Sequence, residues 1–202
     1  MIIFEDINKD KERITLKDTV TFEDFSKALR VFNRDPQYNE MLTDADCKTE
    51  YDTYINEQTG MLIAAYLNGQ IAGVNCISYG NHKEHSIEFP DPSKVAYYAG
   101  LAVLEEARRR HIGDLLVTNT QRLLEKLNKE GKRTLDYSYA RLLCKESQSE
   151  PIFKKYGFAT AFDADGQLIA DTVRYQDKFN QEHVDNRMYV VRSIKKEYRR
   201  RS

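Results

Sequence analysis

The sequence has no tryptophan, three cysteines, four prolines and almost no net charge. Each scarcity removes a class of protein. Cys47, Cys76 and Cys144 are odd in number, far apart and in no metal-ligand spacing, which argues against a disulfide framework or structural zinc and fits a reducing cytoplasm. Lysine and arginine number 31 against 32 aspartates and glutamates, a net charge of −1. No global bias therefore draws the chain to nucleic acid or to an anionic membrane. The longest apolar run, AYYAGLAVL, falls far short of the roughly 20 residues that a membrane-spanning helix needs. The opening MIIFEDINKDKE is acidic and lacks a cleavage pattern, so no signal peptide is expected. Neither G-x-x-x-x-G-K-[ST] nor G-x-G-x-x-G occurs, which excludes the common nucleotide-phosphate loops.

What is present is a soluble, globular composition: 202 residues, 41% hydrophobic and 31% charged. That is long enough to bury a sizeable core. Residues 1–202 read as one domain, with 1–12 as an N-terminal extension and 195–202, KKEYRRRS, as a basic tail. RITLKD alternates as a strand. Thr21, with Asp24 three residues on, opens a helix whose apolar face is Phe25, Ala28, Leu29 and Phe32, and Asp35-Pro36 should end it. Residues 43–58 read as a second helix with Cys47, Tyr51, Tyr54 and Ile55 as its buried stripe. MLIAAYLNGQIAGVNCISYG is a hairpin turning at Asn68-Gly69. After a polar loop, VAYYAGLAV has the length and continuous apolarity of an internal strand. A long amphipathic helix follows from Ile112, marked by Leu115, Leu116, Leu123 and Leu127 and closed near Gly131. TLDYSYA is a strand, SQSEPIFKKYG a short helix capped by Ser147 or Ser149, and FATAF, QLIADTVRY and NRMYVVRSI further strands. The class is α/β (α+β), a mixed sheet with helices on its faces.

Within this order, LAVLEEARRRHIGDLL resembles the acyl-CoA-binding segment of the GNAT superfamily of N-acetyltransferases. There a strand ending in hydrophobic-x-Val passes through R/Q-x-x-G-x-G/A into a long helix. Arg108, Arg109, Arg110, His111, Ile112 and Gly113 fill the six places, with His111 where the first glycine is usual. ESQSEPIFKKYGF resembles the family's later helix, through Phe153, Gly157 and Phe158. The resemblance covers about residues 13–194. It implies a mostly antiparallel central sheet in which a splayed central strand pair binds coenzyme A. It also implies acetyl-CoA as co-substrate, with no metal, and an amine as acceptor.

The chemistry suits the residues. A helix N-terminus offers unpaired N–H groups and roughly half a positive charge to a pyrophosphate. A turn that aims backbone N–H groups inward makes an anion nest, to which arginines add charge. His111 must then adopt a backbone conformation usual for glycine. The cofactor set is Leu101, Ala102, Val103, Arg108, Arg109, Arg110, His111, Ile112, Gly113, Asp114 and Phe153. By resemblance, Leu101, Ala102 and Val103 supply strand-like contacts to pantetheine, and a backbone N–H there would polarise the thioester carbonyl. Gly100 marks a bulge or a close backbone approach, or simple core crowding. Phe153 stands where many relatives carry a tyrosine that protonates sulfur, and Glu146 where many carry an asparagine that contacts the cofactor. That leaves Tyr97 and Tyr139 as substitute catalytic candidates, each of them also readable as a core tyrosine. Cys144 has no base partner, and no further metal ligands group with His82 and His85.

Residues 35–57 hold seven acidic groups and one lysine, which points to a cationic acceptor or merely to a solvated helix. The functional reading is an N-acetyltransferase working by direct attack of a primary amine, of a small molecule or peptide, in a ternary complex. A non-catalytic acyl-CoA sensor of the same fold is the alternative. Nucleic acid and membrane are not expected partners; a homodimer stays open. The roles of residues 1–12 and 163–186 also stay open, between an interface and a pocket cover.

Overall fold

The computed structural model describes residues 1–33, 42–145, 147–177 and 179–194. It has a nine-stranded mixed sheet flanked by four helices. The strands are β1 (Ile2–Ile7), β2 (Arg13–Lys17), β3 (Gly60–Leu67), β4 (Gln70–Tyr79), β5 (Val95–Val103), β6 (Tyr137–Leu143), β7 (Ala159–Thr160), β8 (Ala170–Gln176) and β9 (Glu182–Ser193). The helices are α1 (Phe22–Leu29), α2 (Asp44–Ile55), α3 (Ile112–Lys129) and α4 (Glu150–Lys155). The order across the sheet is β1-β2-β3-β4-β5-β6-β9, with β7 and β8 on the outer side of β9. All pairings are antiparallel except β5 with β6.

Local chemistry explains most boundaries. Thr21 and Thr43 cap α1 and α2 by accepting the backbone N–H groups of Asp24 and Asp46, and Asp46 closes a full capping box. Asn68 and Gly69 both have positive φ (50° and 84°), the geometry of a two-residue hairpin turn that matches strand twist. Gly73 lets β4 lie against β5: a Cβ there would sit 2.5 Å from the Ala102 carbonyl oxygen.

Several expectations need correction. Residues 1–12 contribute an edge strand, with Ile2–Ile7 forming β1 on β2. Helix α1 ends at Leu29 and continues as a 3-10 turn, Arg30–Asn33; Asp35-Pro36 lies outside the described residues, as do Glu146 and the basic tail. Ile55 is exposed, since the end of α2 leaves the core after Tyr54. Gly100 needs no glycine for space, the nearest atom to a Cβ being 3.7 Å away. The bulge expected near it is present, at Ala99, where the register passes from Cys76↔Gly100 to Ile77↔Tyr98. Much of the 163–186 segment is spent on the hairpin of β8 and β9. Among the described residues, no helix is long and apolar enough to cross a membrane.

The two faces of the sheet have different cores. One holds Tyr98, Phe153, Phe158, Leu124 and Val117 under α3 and α4. Asn75 of β4, wholly buried, donates to Thr120 Oγ1 of α3 at 2.7 Å on this side. The other face packs α1 and α2 over β2–β4 and, beyond them, the 80–91 loop over an aromatic group of Tyr97, Tyr139 and Tyr189.

Candidate active site

The parallel ladder of β5 with β6 runs only from Val95/Tyr137 to Tyr98/Ala140, although β5 continues to Val103. The two strands therefore part at the bulge. The part of β5 beyond it, Leu101–Val103, faces a cavity of about 560 Å³. This cavity ends at the start of α3. There the chain takes two left-handed steps at non-glycine residues, Arg109 (φ 65°) and His111 (φ 59°). Such a conformation costs a residue with a Cβ roughly 1–2 kcal/mol. His111 is the N-terminal flanking residue of α3, yet no side chain caps that helix, in contrast to α1 and α2. The N–H groups of its first turn are thus left for an anion. Gly113 is buried there, and a Cβ would come within 3.0 Å of Ile152 Cδ1 of α4.

Of the residues expected at the cofactor site, Leu101, Ala102, Val103, Arg108, Arg109, His111, Ile112, Gly113 and Asp114 line this cavity. Arg110 does not: its guanidinium is held by the Glu12 carboxylate, at 3.0 and 3.1 Å, and by the Glu106 carbonyl. Phe153 lies deeper, packed edge-on against Tyr98 and Phe158. The His111 ring points outward, 75% exposed. The Asp114 carboxylate, which would repel phosphate, is paired with Lys155 at 2.8 Å. Burial pushes its pKa up, but Lys155 and His111 outweigh this and hold it below the usual range.

A second, smaller cavity of about 100 Å³ fills the fork between β5 and β6 and shares Phe32, Leu101 and Ser149 with the first. Tyr97, Gly100, Phe153, Arg141 and Arg187 also line it. Tyr97 stacks on Tyr139 at 4.8 Å and meets His82 and His85 edge-on at 4.9 and 4.8 Å. Burial raises the Tyr97 pKa, with the Arg141 and Arg187 guanidinia pulling it the other way, so the phenol is protonated at neutral pH. Tyr139 does not reach the cavity. Its hydroxyl donates to Asn81 Oδ1 at 2.8 Å and accepts the backbone N–H of His82, which ties down the 80–91 loop. Tyr97 and Tyr139 are thus neighbours with different surroundings.

The histidine loop needs correction too. Glu84 joins His82 and His85, and one ligand atom from each lies within 4.8 Å of the others. Hydrogen bonds already engage both rings: His82 Nε2 meets Ser78 Oγ at 2.8 Å, and His85 Nδ1 meets the Tyr139 hydroxyl at 3.1 Å. The acidic run of α2 has local employment. Asp44 pairs with Arg30, Asp46 caps the helix and Asp52 pairs with Lys48.

Arg141 and Arg187 were not anticipated. A signal existed for the first: in YSYARLL, Arg141 shares a strand face with Tyr137 and Tyr139, an odd place for a charge. The second is hidden in the alternation of β9.

The comparisons agree with this geometry. The family model for the acetyltransferase (GNAT) family matches residues 23–158. No curated protein matches the chain. Among solved structures, an N-acetyltransferase from Staphylococcus aureus Mu50 is 13% identical, with 90% of this chain and 99% of that one covered and a TM-score of 0.64. The ribosomal-protein-S18-alanine N-acetyltransferase from Escherichia coli is 14% identical, with 93% and 97% covered and a TM-score of 0.61. The putative acetyltransferase yncA from Salmonella typhimurium, solved with its cofactor acetyl-CoA, is 9% identical, with 92% and 96% covered and a TM-score of 0.63. At such identities the likeness concerns the fold. With the family model spanning two thirds of its residues, the chain belongs to the acetyltransferase (GNAT) family and is an acyl-CoA N-acetyltransferase.

Proposed function

We propose that this protein moves an acetyl group from acetyl-CoA to a primary amine of a small molecule or peptide by direct attack in a ternary complex. One observation carries the reading. The fork of β5 and β6 sets an uncapped helix N-terminus and a buried, protonated tyrosine on two adjacent cavities that share Phe32, Leu101 and Ser149 in their walls.

The α3 amides, with Arg108 and Arg109 at the rim, would hold the pyrophosphate. The edge of β5 at Leu101–Val103 would line up pantetheine, with a backbone N–H there polarising the thioester carbonyl. The acceptor must arrive as a neutral amine, because an ammonium has no lone pair to attack with. As the N–C bond forms and the C–S bond breaks, the electron pair leaves on sulfur. Tyr97 gives that sulfur its proton, beside Arg141, whose charge favours the transient phenolate. The proton shed by the nitrogen then restores the phenol through solvent.

The test is free-thiol release from acetyl-CoA across an amine panel, run alongside thermal stabilisation by CoA. Tyr97→Phe should lower kcat by about 10²-fold or more while CoA still stabilises the variant. Tyr139→Phe should act mainly on stability. Undiminished turnover in Tyr97→Phe would remove Tyr97 from the mechanism. CoA stabilisation without turnover on any amine would favour the sensor alternative.

A further inference from the structure

The turn that opens α3 is held from a distant part of the chain. Arg109 and His111 both take left-handed φ (65° and 59°), a conformation that a residue with a Cβ keeps only where its surroundings enforce it. Both line the large cavity, and Arg110 between them does not. The Arg110 side chain is anchored instead. Its Nε donates to the two Glu12 oxygens at 3.1 and 3.0 Å, and its Nη1 donates to the Glu106 carbonyl. Glu106 belongs to the 3-10 turn Glu105–Ala107 that leads out of β5. One side chain therefore ties the strained turn both to the end of β5 and to the connection between β1 and β2.

Glu12 is itself fixed. Asn8, at the other end of that connection, donates from Nδ2 to Glu12 Oε2 at 2.9 Å. Asn8 Oδ1 accepts the backbone N–H groups of Glu12 and Asp10 at 2.9 and 3.0 Å, and the Asn8 N–H donates to the Glu12 carbonyl at 3.0 Å. The Asn8 hydrogen bond first, and Arg110 after it, hold the Glu12 carboxyl below its usual range against the opposing effect of burial. The carboxylate is 20% exposed and the guanidinium 35%. An ion pair this open adds little to global stability. Its leverage is local, because it acts on a turn whose backbone does not hold its shape unaided.

On this basis we propose that Glu12 is a positioning residue for the cofactor: through Arg110 it holds the 108–111 turn in the shape that aims the α3 amides at the pyrophosphate. The inference rests on the acetyl-CoA reading above and gives the β1–β2 connection a task in it. Glu12 does not line the cavity, so it acts only through Arg110. A turn released from this anchor is competent for part of the time, and apparent affinity falls by that fraction. Only a ligand that carries the pyrophosphate should feel the loss.

The test measures Kd for CoA by calorimetry, and transfer kinetics with acetyl-CoA and with S-acetylpantetheine, which lacks the pyrophosphate. Glu12→Ala should weaken CoA binding roughly tenfold, the effect of a turn competent about a tenth of the time. KM for acetyl-CoA should rise in step, with its kcat and the constants for acetylpantetheine little changed. Glu12→Gln keeps an acceptor for Arg110 Nε and should recover most of the affinity. Arg110→Ala should match Glu12→Ala, and the double variant should lose no more than either single one. Tighter CoA binding in Glu12→Ala would overturn the proposal, since Glu12 would then be withholding Arg110 from the phosphates. Equal losses for both donors, or additive losses in the double variant, would overturn it as well. Unchanged CoA affinity in Glu12→Ala with turnover intact would overturn the positioning role and leave the transfer mechanism standing. The expected pattern of CoA affinities without turnover on any amine would uphold the positioning role and overturn the transfer mechanism.

Discussion

Replacing Asp171 with asparagine tests how the fork is held. The carboxylate is 8% exposed and accepts from three groups: Tyr189 through its hydroxyl, Arg141 at 3.3 Å and the Ser86 N–H at 3.2 Å. Removing one member of a buried pair costs about 3–5 kcal/mol. Here the loss should be smaller, about 2–3 kcal/mol, because Arg141 keeps some solvent and asparagine Oδ1 can still accept from Ser86. A chain of this size loses roughly 2–4 °C of Tm per kcal/mol, which gives a fall of about 4–12 °C. There is also a pH signature. Burial pushes the Asp171 pKa up, but the Ser86, Tyr189 and Arg141 hydrogen bonds outweigh it and leave the carboxyl below its usual range. Its contribution is therefore present above the unfolded value near 4 and is lost as pH falls through the lowered folded value. Asp171→Asn should be less stable than the wild type at pH 7 and should lose less on further acidification below about pH 4. Thermal melts from pH 2.5 to 7 measure both. A variant melting within 1 °C of the wild type at pH 7, with an unchanged acid limb, would refute the reasoning.

Other sites give sharper, smaller tests. Gly73→Ala should lose about 1–3 kcal/mol in urea melts and weaken CoA binding, because the new methyl must displace the β5 backbone at Ala102. Thr120→Val leaves the buried amide of Asn75 without its acceptor and should cost about 1–3 kcal/mol, while the double variant Asn75→Leu/Thr120→Val should recover part of that loss. Burial, helped by Arg141 and His82, pushes the His85 pKa down to about 4. Between its ordinary value of 6.5 and 4 only the unfolded chain takes up the proton, so stability falls on acidification through that window. His85→Gln should flatten the slope there, and an unchanged slope would show that His85 does not cause it.

Much of this architecture was legible because it rests on short-range chemistry. Asn68-Gly69, the Thr21 and Thr43 caps and the Leu116 face of α3 are local signals with one physical reading each. The loop proposed to hold the cofactor was legible as a strand-to-helix junction, because Gly113 and the arginines can be placed there from hydropathy. Three things were not. The pairing of Ile2–Ile7 with β2 is a tertiary contact that an acidic, exposed edge strand does not announce. Arg110 is diverted by Glu12, 98 residues away in sequence. The Arg141–Arg187 pair exists only because β6 and β9 become neighbours, and register between distant strands is not written in either one alone. In the acidic run of α2, Asp44, Asp46 and Asp52 serve ion pairs and a capping box, a use that composition cannot distinguish from an acceptor surface.

The central claim is that coenzyme A lies in the fork, with its pyrophosphate on the α3 N-terminus and its pantetheine along β5. Backbone amide NMR with added CoA reads this position directly. The account predicts the largest shifts at Leu101–Val103 and Ile112–Asp114, with the Ala170–Gln176 strand nearly still. Large shifts confined to the β8–β9 hairpin or the 80–91 loop, with the α3 amides unmoved, would contradict it.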